Sequence, residues 1–365
     1  MSGAHDLNAA NAAADANESA ALIAAGIARI FADAVDRELI ESVRGGAWPE
    51  ALWRVVEDSG YTRVLDADPA AGNWRDAEGV LFALGYHRAP LPLAETLLAN
   101  CLCARAGLPV EDGPATVIDG RGLTWSQAGG SVRVSGLARA VPWARAARRL
   151  VVAGTLAGQP HLGLLRAAAG GLEILPGSNV AHEPRDTLRL SGVAVQAVPC
   201  EFVSGHDPVR LHGALARSVG LAGVAASVLD QSVVYVNDRV QFGRPIGKFQ
   251  AVQHLLAELG SEAAAGAMAA AAACAVADGP DPVPDIAIAK VRTGQMASAV
   301  ARIAHQVHGA IGLTREHTLH HGTQRLWAWR AEFGRDAEWA AVIGRRALDA
   351  GGAGLWADLL VGREA

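Results

Sequence analysis

The stretch Tyr235–Gln250, YVNDRVQFGRPIGKFQ, leaves one helical pattern, crosses a Gly/Pro turn and enters a second. Upstream, Leu215, Val219, Ala222, Ala226, Leu229, Val233 and Val236 recur at alternating steps of four and three, the seam of a helix packed on other helices. At its end Arg239, Gln241 and Phe242 gather before Gly243, Pro245 and Gly247, which stop the helix and permit close backbone approach. Arg239 offers a forked cation suited to a phosphate, Gln241 an amide, and Phe242 a flat apolar surface for a ring system. A nucleotide grip fits these residues. So does a plain helix C-terminus with a basic residue favoured by the dipole and an aromatic plug.

Composition narrows the field. The chain has 365 residues, 51% of them hydrophobic and 5% aromatic, enough for more than one core. Its net charge of -5 argues against a nucleic-acid surface. No sustained apolar span of membrane length stands out, so neither a transmembrane helix nor a membrane partner is expected. Residues 1–20 are polar and alanine-rich, lack the basic start and apolar block of a secretory signal, and read as a flexible arm. Cys101 and Cys103 are too close for a two-clamp zinc site, and Cys200 and Cys274 stand alone. They read as buried thiols of a cytoplasmic protein. The densest histidine cluster, HTLHHG at His317–Gly322, has Glu316 beside it but no recognisable ligand spacing, so no metal is expected.

Along the chain, residues 21–106 carry four helical patterns. The first holds Ile23, Ile27, Ile30 and Phe31, the second Leu52, Val55 and Val56 up to Gly60, the third Ala77, Leu81 and Leu84, and the fourth follows the Pro90-Leu91-Pro92 break. Residues 107–209 change period to short β-branched or alternating runs between Gly-rich turns. Residues 210–365 return to helices: the one ending at Arg239, one from Phe249 to Gly279, one from a cap at Asp285 to Val307, and one from about Glu316 through Leu326, Trp329 and Phe333 past Val342. The expected architecture is multi-domain α+β, with an N-terminal helical bundle, a middle β domain and a C-terminal four-helix bundle.

The opening stretch resembles the R-x-x-F-G-x-x-I-x-x-F-Q signature of the acyl-CoA dehydrogenase family, and Gln306–Gly312, QVHGAIG, resembles its second motif at the expected distance downstream. By that resemblance Arg239, Gln241, Phe242 and Gln250 fall on positions that hold the diphosphate and adenosine part of FAD across a dimer interface. Gln306, His308 and Gly309 fall on the second FAD-contacting motif. The resemblance implies α,β-dehydrogenation of an acyl-CoA thioester, in which a carboxylate removes the α-proton, FAD takes the β-hydrogen and an electron-transferring flavoprotein reoxidises it. The acidic Gly-Ser-Asp loop that the family brings to its flavin ring has no counterpart between Pro114 and Gly136.

The base position also departs. Where the family has Glu directly before Gly on the last helix, this chain reads Ala331-Glu332-Phe333-Gly334, with Phe333 in the slot and Glu332 one residue early. A step of one residue turns a helical side chain by roughly 100°. Phe333, continuing the Leu326–Trp329 stripe, is expected inward and Glu332 elsewhere. The family's other base position aligns to about Gly213. Three readings stay open: a self-sufficient homodimer or homotetramer using Glu332 as base, the FAD-supporting or purely structural half of a hetero-tetramer with a homologous subunit, or a flavin-dependent monooxygenase of the same fold. Short chains of this type resemble subunits working on bulky acyl-CoAs such as steroid side-chain thioesters, alongside ordinary fatty acid oxidation.

Overall fold

A computed structural model of the chain describes residues 3–66 and 73–356. Residues 1–2 of the expected arm and 357–365 of the expected C-terminal bundle lie outside the described residues. Five helices come first: α1 (Gly3–Ala34), α2 (Arg37–Arg44), α3 (Glu50–Asp58), α4 (Trp74–Tyr86) and α5 (Leu93–Arg105). Two expectations need correction here. Residues 3–20 belong to α1 and are not a separate arm. The short α2 is an additional helix, started by the Asp36 carboxylate accepting from the Leu39 N–H at 2.8 Å.

The middle segment forms a seven-stranded sheet in the order β1-β4-β5-β7-β3-β2, with β6 also paired to β7. Its strands are β1 (Ala115–Ile118), β2 (Leu123–Ala128), β3 (Ser131–Pro142), β4 (Arg149–Leu156), β5 (Gln159–Arg166), β6 (Leu172–Leu175) and β7 (Arg185–Pro199). Among these strands only β1 and β4 pair in parallel. The two-residue period decides the packing of β4. Val151 and Ala153 join Leu98 and Leu102 of α5 in one core, while Leu150 and Val152 join Leu188 and Val193 in another. The sheet is therefore clamped between helices on one face and its own strands on the other.

Five helices follow: α6 (Pro208–Asp238), α7 (Gln250–Val276), α8 (Val283–His308), α9 (Leu319–Trp329) and α10 (Asp336–Trp356), with the hairpin β8 (Val240–Gln241) and β9 (Arg244–Pro245) between α6 and α7. Asp207 caps α6 ahead of Pro208, and α8 starts before Asp285, which lies in its first turn and not at its cap. α6 is buried on every side from Leu211 to Ala225, so the apolar seam read from sequence is wider than a stripe, and Val233 near its end is exposed. By length and composition α6 and α7 could each cross a membrane, contrary to expectation. α6 is instead the central helix: Leu211 and Leu215 share a core with Phe31, Trp74 and Leu81, and its second half packs in a core with α8 and α9.

The expected fourth C-terminal helix is two helices. Periodicity runs through Leu326, Trp329 and Phe333, but Phe333 takes φ 54° and Gly334 φ 107°, which end the helical path. The turn is tied at three points. Buried Lys290 donates to the Arg330 carbonyl at 2.6 Å, Trp339 Nε1 donates to the Phe333 carbonyl at 3.0 Å, and Arg330 pairs with Asp336 at 2.9 Å.

Candidate functional site

The two motifs singled out in the sequence meet at one end of the helical region. Tyr235, one turn before Arg239, stacks on His308 with ring centroids 4.4 Å apart, and its hydroxyl donates to the His308 carbonyl at 3.2 Å. The last turns of α6 and α8 are thereby locked side by side. Around that lock Arg239, Gln241, Phe242, Gln250, Gln306 and Gly309 are all exposed, Phe242 by 92%. Phe242 sits at the hairpin tip with φ 52° and meets Phe249 edge-on. Gly309 takes φ 61°, and the space where a side chain would stand is open. His308 differs from the others: its ring is buried in its own protomer, Nδ1 donates to the Ala304 carbonyl at 2.8 Å, and Nε2 has no partner among the described residues. Burial pushes it down to about 4, so it is neutral near pH 7.

A second constellation lies where the N-terminal helices, the sheet and the C-terminal helices converge. Six charges alternate in sign. Glu95 of α5 pairs with Arg217 of α6, whose Nε reaches Glu332 Oε2 at 2.7 Å. Glu332 Oε1 binds Arg185 Nε at 2.7 Å, Arg185 binds Glu183 at 3.1 Å, and Glu183 binds Arg325 of α9 at 2.9 Å. Trp329 Nε1 also donates to Glu183 at 2.7 Å. Glu95, Arg217, Arg185, Glu183 and Arg325 are buried; the ladder ties all three regions of the chain together. Single buried charges are costly and alternating ones compensate each other, so the ladder holds only as a complete set.

Glu332 therefore points inward, contrary to the expectation drawn from a continuous helix: it precedes the turn, not a helical step, and Arg185 and Arg217 draw it in. Burial alone would raise its pKa, but those two guanidinium groups outweigh burial and bring it down to about 2. A carboxylate so held is a poor proton acceptor. Phe333 beside it lies directly over Gly213 in α6, where any Cβ would collide with the ring, and the Arg217 guanidinium sits over the same ring, 5.6 Å from its centroid. The adjoining cleft, about 690 Å³, is lined by Arg139, Val141, Pro142, Thr187, Glu332 and Phe333 among others. Its remaining carboxylates are also engaged, Asp119 by Arg121 at 2.6 Å and Glu338 by Arg210.

Residues 211–348 match the family model for the acyl-CoA dehydrogenase C-terminal domain. The chain is 28% identical over 318 residues to acyl-CoA dehydrogenase IpdE2 of Mycobacterium tuberculosis, covering 83% of this chain and 90% of that one. Residues 211–348 thus carry an acyl-CoA dehydrogenase C-terminal domain, and the longer alignment resembles an acyl-CoA dehydrogenase. The fold of the chain is that of solved acyl-CoA dehydrogenases. A variant of the Tcur3481-Tcur3483 steroid ACAD superposes with a TM-score of 0.83 at 24% identity, over 93% of this chain and 99% of that one. The ChsE4-ChsE5 complex from Mycobacterium tuberculosis superposes with a TM-score of 0.80 at 22% identity, over 90% and 97%.

The two positions expected from the resemblance to stand where a base would, Phe333 and Gly213, touch each other. The ladder residues Glu95, Glu183, Arg185, Arg217 and Arg325 were not among the residues expected from sequence. One of them carried a signal: Arg217 is the lone charge in the apolar run Leu211–Ala225, where an uncompensated cation would not be tolerated.

Proposed function

We propose that this chain is the FAD-supporting, non-catalytic subunit of a heteromeric acyl-CoA dehydrogenase, an oxidoreductase acting on CH–CH bonds, and that a homologous subunit supplies the base. The observation that carries this reading is the Phe333 ring on Gly213, which fills both positions from which a carboxylate would approach the α-carbon, while Glu332 is neutralised by Arg185 and Arg217. Val141 and Pro142 in the cleft bring no side-chain donor to a flavin ring, and Pro142 lacks an N–H. Residues 115–128, where the family's acidic loop is missing, form β1, a turn and β2.

The exposed end of α6 and α8 fits the opposite role. Arg239 would bind the diphosphate of FAD held by the neighbouring subunit, Gln241 and Gln306 would give it directional amides, Phe242 would cover an aromatic ring, and open Gly309 would let backbone approach. His308 supports this surface from behind through its stack on Tyr235. FAD supplies hydride acceptance from the β-carbon, and an electron-transferring flavoprotein is the expected reoxidant. The acyl-CoA would be bulky, as in the steroid enzymes of the same fold, and the assembly cytoplasmic.

The visible spectrum of the purified chain, alone and co-expressed with a homologous subunit, tests the proposal. Flavin absorbance that appears only in the co-expressed complex, and bleaches there on addition of acyl-CoA, is expected. Yellow protein from this chain alone, bleached by acyl-CoA, overturns it.

A further inference from the structure

α2 and the first turn of α9 meet at a group of three side chains that the FAD surface and the ladder do not use. Glu41 of α2 faces His320 and His321 of α9, and one ligand atom from each lies within 4.8 Å of the others. His321 Nε2 is 2.6 Å and His320 Nε2 is 3.8 Å from the same oxygen, Glu41 Oε1.

The tautomer of His320 is fixed by a neighbour. Its Nδ1 lies 2.8 Å from the His317 carbonyl, which can only accept, so Nδ1 carries the proton. In the neutral ring Nε2 then presents a lone pair toward a carboxylate oxygen. A proton or a metal cation between two such electron-rich atoms relieves their repulsion. A backbone carbonyl holding the far nitrogen of a histidine is also the usual outer support of a metal-ligating imidazole. His321 is buried, and its Nδ1 has no partner among the described residues. Arg44 is the nearest competing cation. It stays on the other oxygen, Glu41 Oε2, at 3.8 Å, while its Nη1 donates to Gln324 at 3.0 Å.

We propose that Glu41, His320 and His321 form a binding site for a divalent transition cation, Zn²⁺ by its preference for two imidazoles and one carboxylate, with water completing the shell. Bound there, the ion takes the place of the Nε2 proton between His321 and Glu41, that proton moving to Nδ1 so that the ring stays neutral, and joins an N-terminal helix to α9. Because α9 also carries Arg325 and Trp329, the ion braces the helix that holds Glu183.

The test uses the full chain, free of any affinity tag and stripped with a chelator, titrated with Co²⁺ by visible absorption and then with Zn²⁺ in competition. One equivalent of Co²⁺ with ligand-field bands is expected. Glu41→Gln and His320→Asn should each weaken binding by about tenfold or more, the size lost when even an outer partner of a ligand is removed. His254→Asn, at an exposed histidine elsewhere, should leave it unchanged. Glu41 is half-exposed, so its amide variant isolates the ligand role from folding. Absence of saturable binding at one equivalent, or equal affinity in the wild type and the Glu41→Gln/His320→Asn double variant, overturns the site.

Discussion

The Phe333 ring rests on Gly213, and each residue explains the other. Only a residue without a side chain leaves room for the ring, and only a turn at φ 54° delivers the ring there. Exchanging glycine for alanine inside a helix ordinarily stabilises by up to about 1 kcal/mol. At position 213 the sign should reverse. Gly213→Ala is expected to destabilise by roughly 1–3 kcal/mol through overpacking, read as a lower urea midpoint, and the double variant Gly213→Ala/Phe333→Leu should recover part of that loss.

Glu332→Gln should behave as a stability variant and not as a catalytic one. It leaves Arg185 and Arg217 each short of a charge partner, a loss of about 3–5 kcal/mol. The wild-type carboxyl moves from an ordinary 4.5 to about 2 on folding, so its contribution is complete above pH 4.5 and disappears as pH falls toward 2. Denaturation midpoints measured down that range should fall less steeply for the variant. Turnover of acyl-CoA per folded two-chain complex should not change.

Arg239→Ala and Gln306→Ala alter exposed side chains and should leave the denaturation midpoint of the chain within about 0.5 kcal/mol of wild type. In the complex they should act on the partner's cofactor. A lost charge-assisted hydrogen bond at Arg239 is worth roughly 1.5–3 kcal/mol, more than tenfold in FAD affinity, measured by flavin content after dialysis.

His308→Leu separates packing from cofactor contact. The imidazole is buried and neutral, with Nε2 unpartnered among the described residues, so an apolar replacement should hold stability near pH 7 and reduce its decline between about pH 6.5 and 4. In that interval the unfolded histidine binds a proton that the folded one refuses. Flavin content of the complex should fall far less than for Arg239→Ala, because the stack on Tyr235 is lost but the Tyr235 hydroxyl still has its backbone carbonyl acceptor.

Helical and strand periods were enough to read the succession of helices, sheet and helices from the sequence, because apolar spacing reports burial directly. They were blind where two signals competed. Leu326, Trp329 and Phe333 keep helical spacing through a point that Gly334 interrupts, and only the left-handed backbone at Phe333 decides between them. α2 buries little beyond Ile40 and Val43, too few positions for a period to show. The residues proposed to face FAD could be picked out from the sequence because they cluster in short motifs. The ladder was not, since Glu95 and Arg325 lie 230 positions apart and gain meaning only when folding brings them into one file. The Glu41–His321 contact was hidden for the same reason.

Three acids and three bases that cancel only together also constrain how this chain can change. Any one-step mutation within the set strands a buried ion, whereas exchanging the whole set for apolar residues can be nearly neutral. Under the proposed role, becoming a self-sufficient dehydrogenase would require Phe333 to give way and opposite charges to leave in concert, so the proposed division of labour between subunits would work as a ratchet, easier to enter than to reverse.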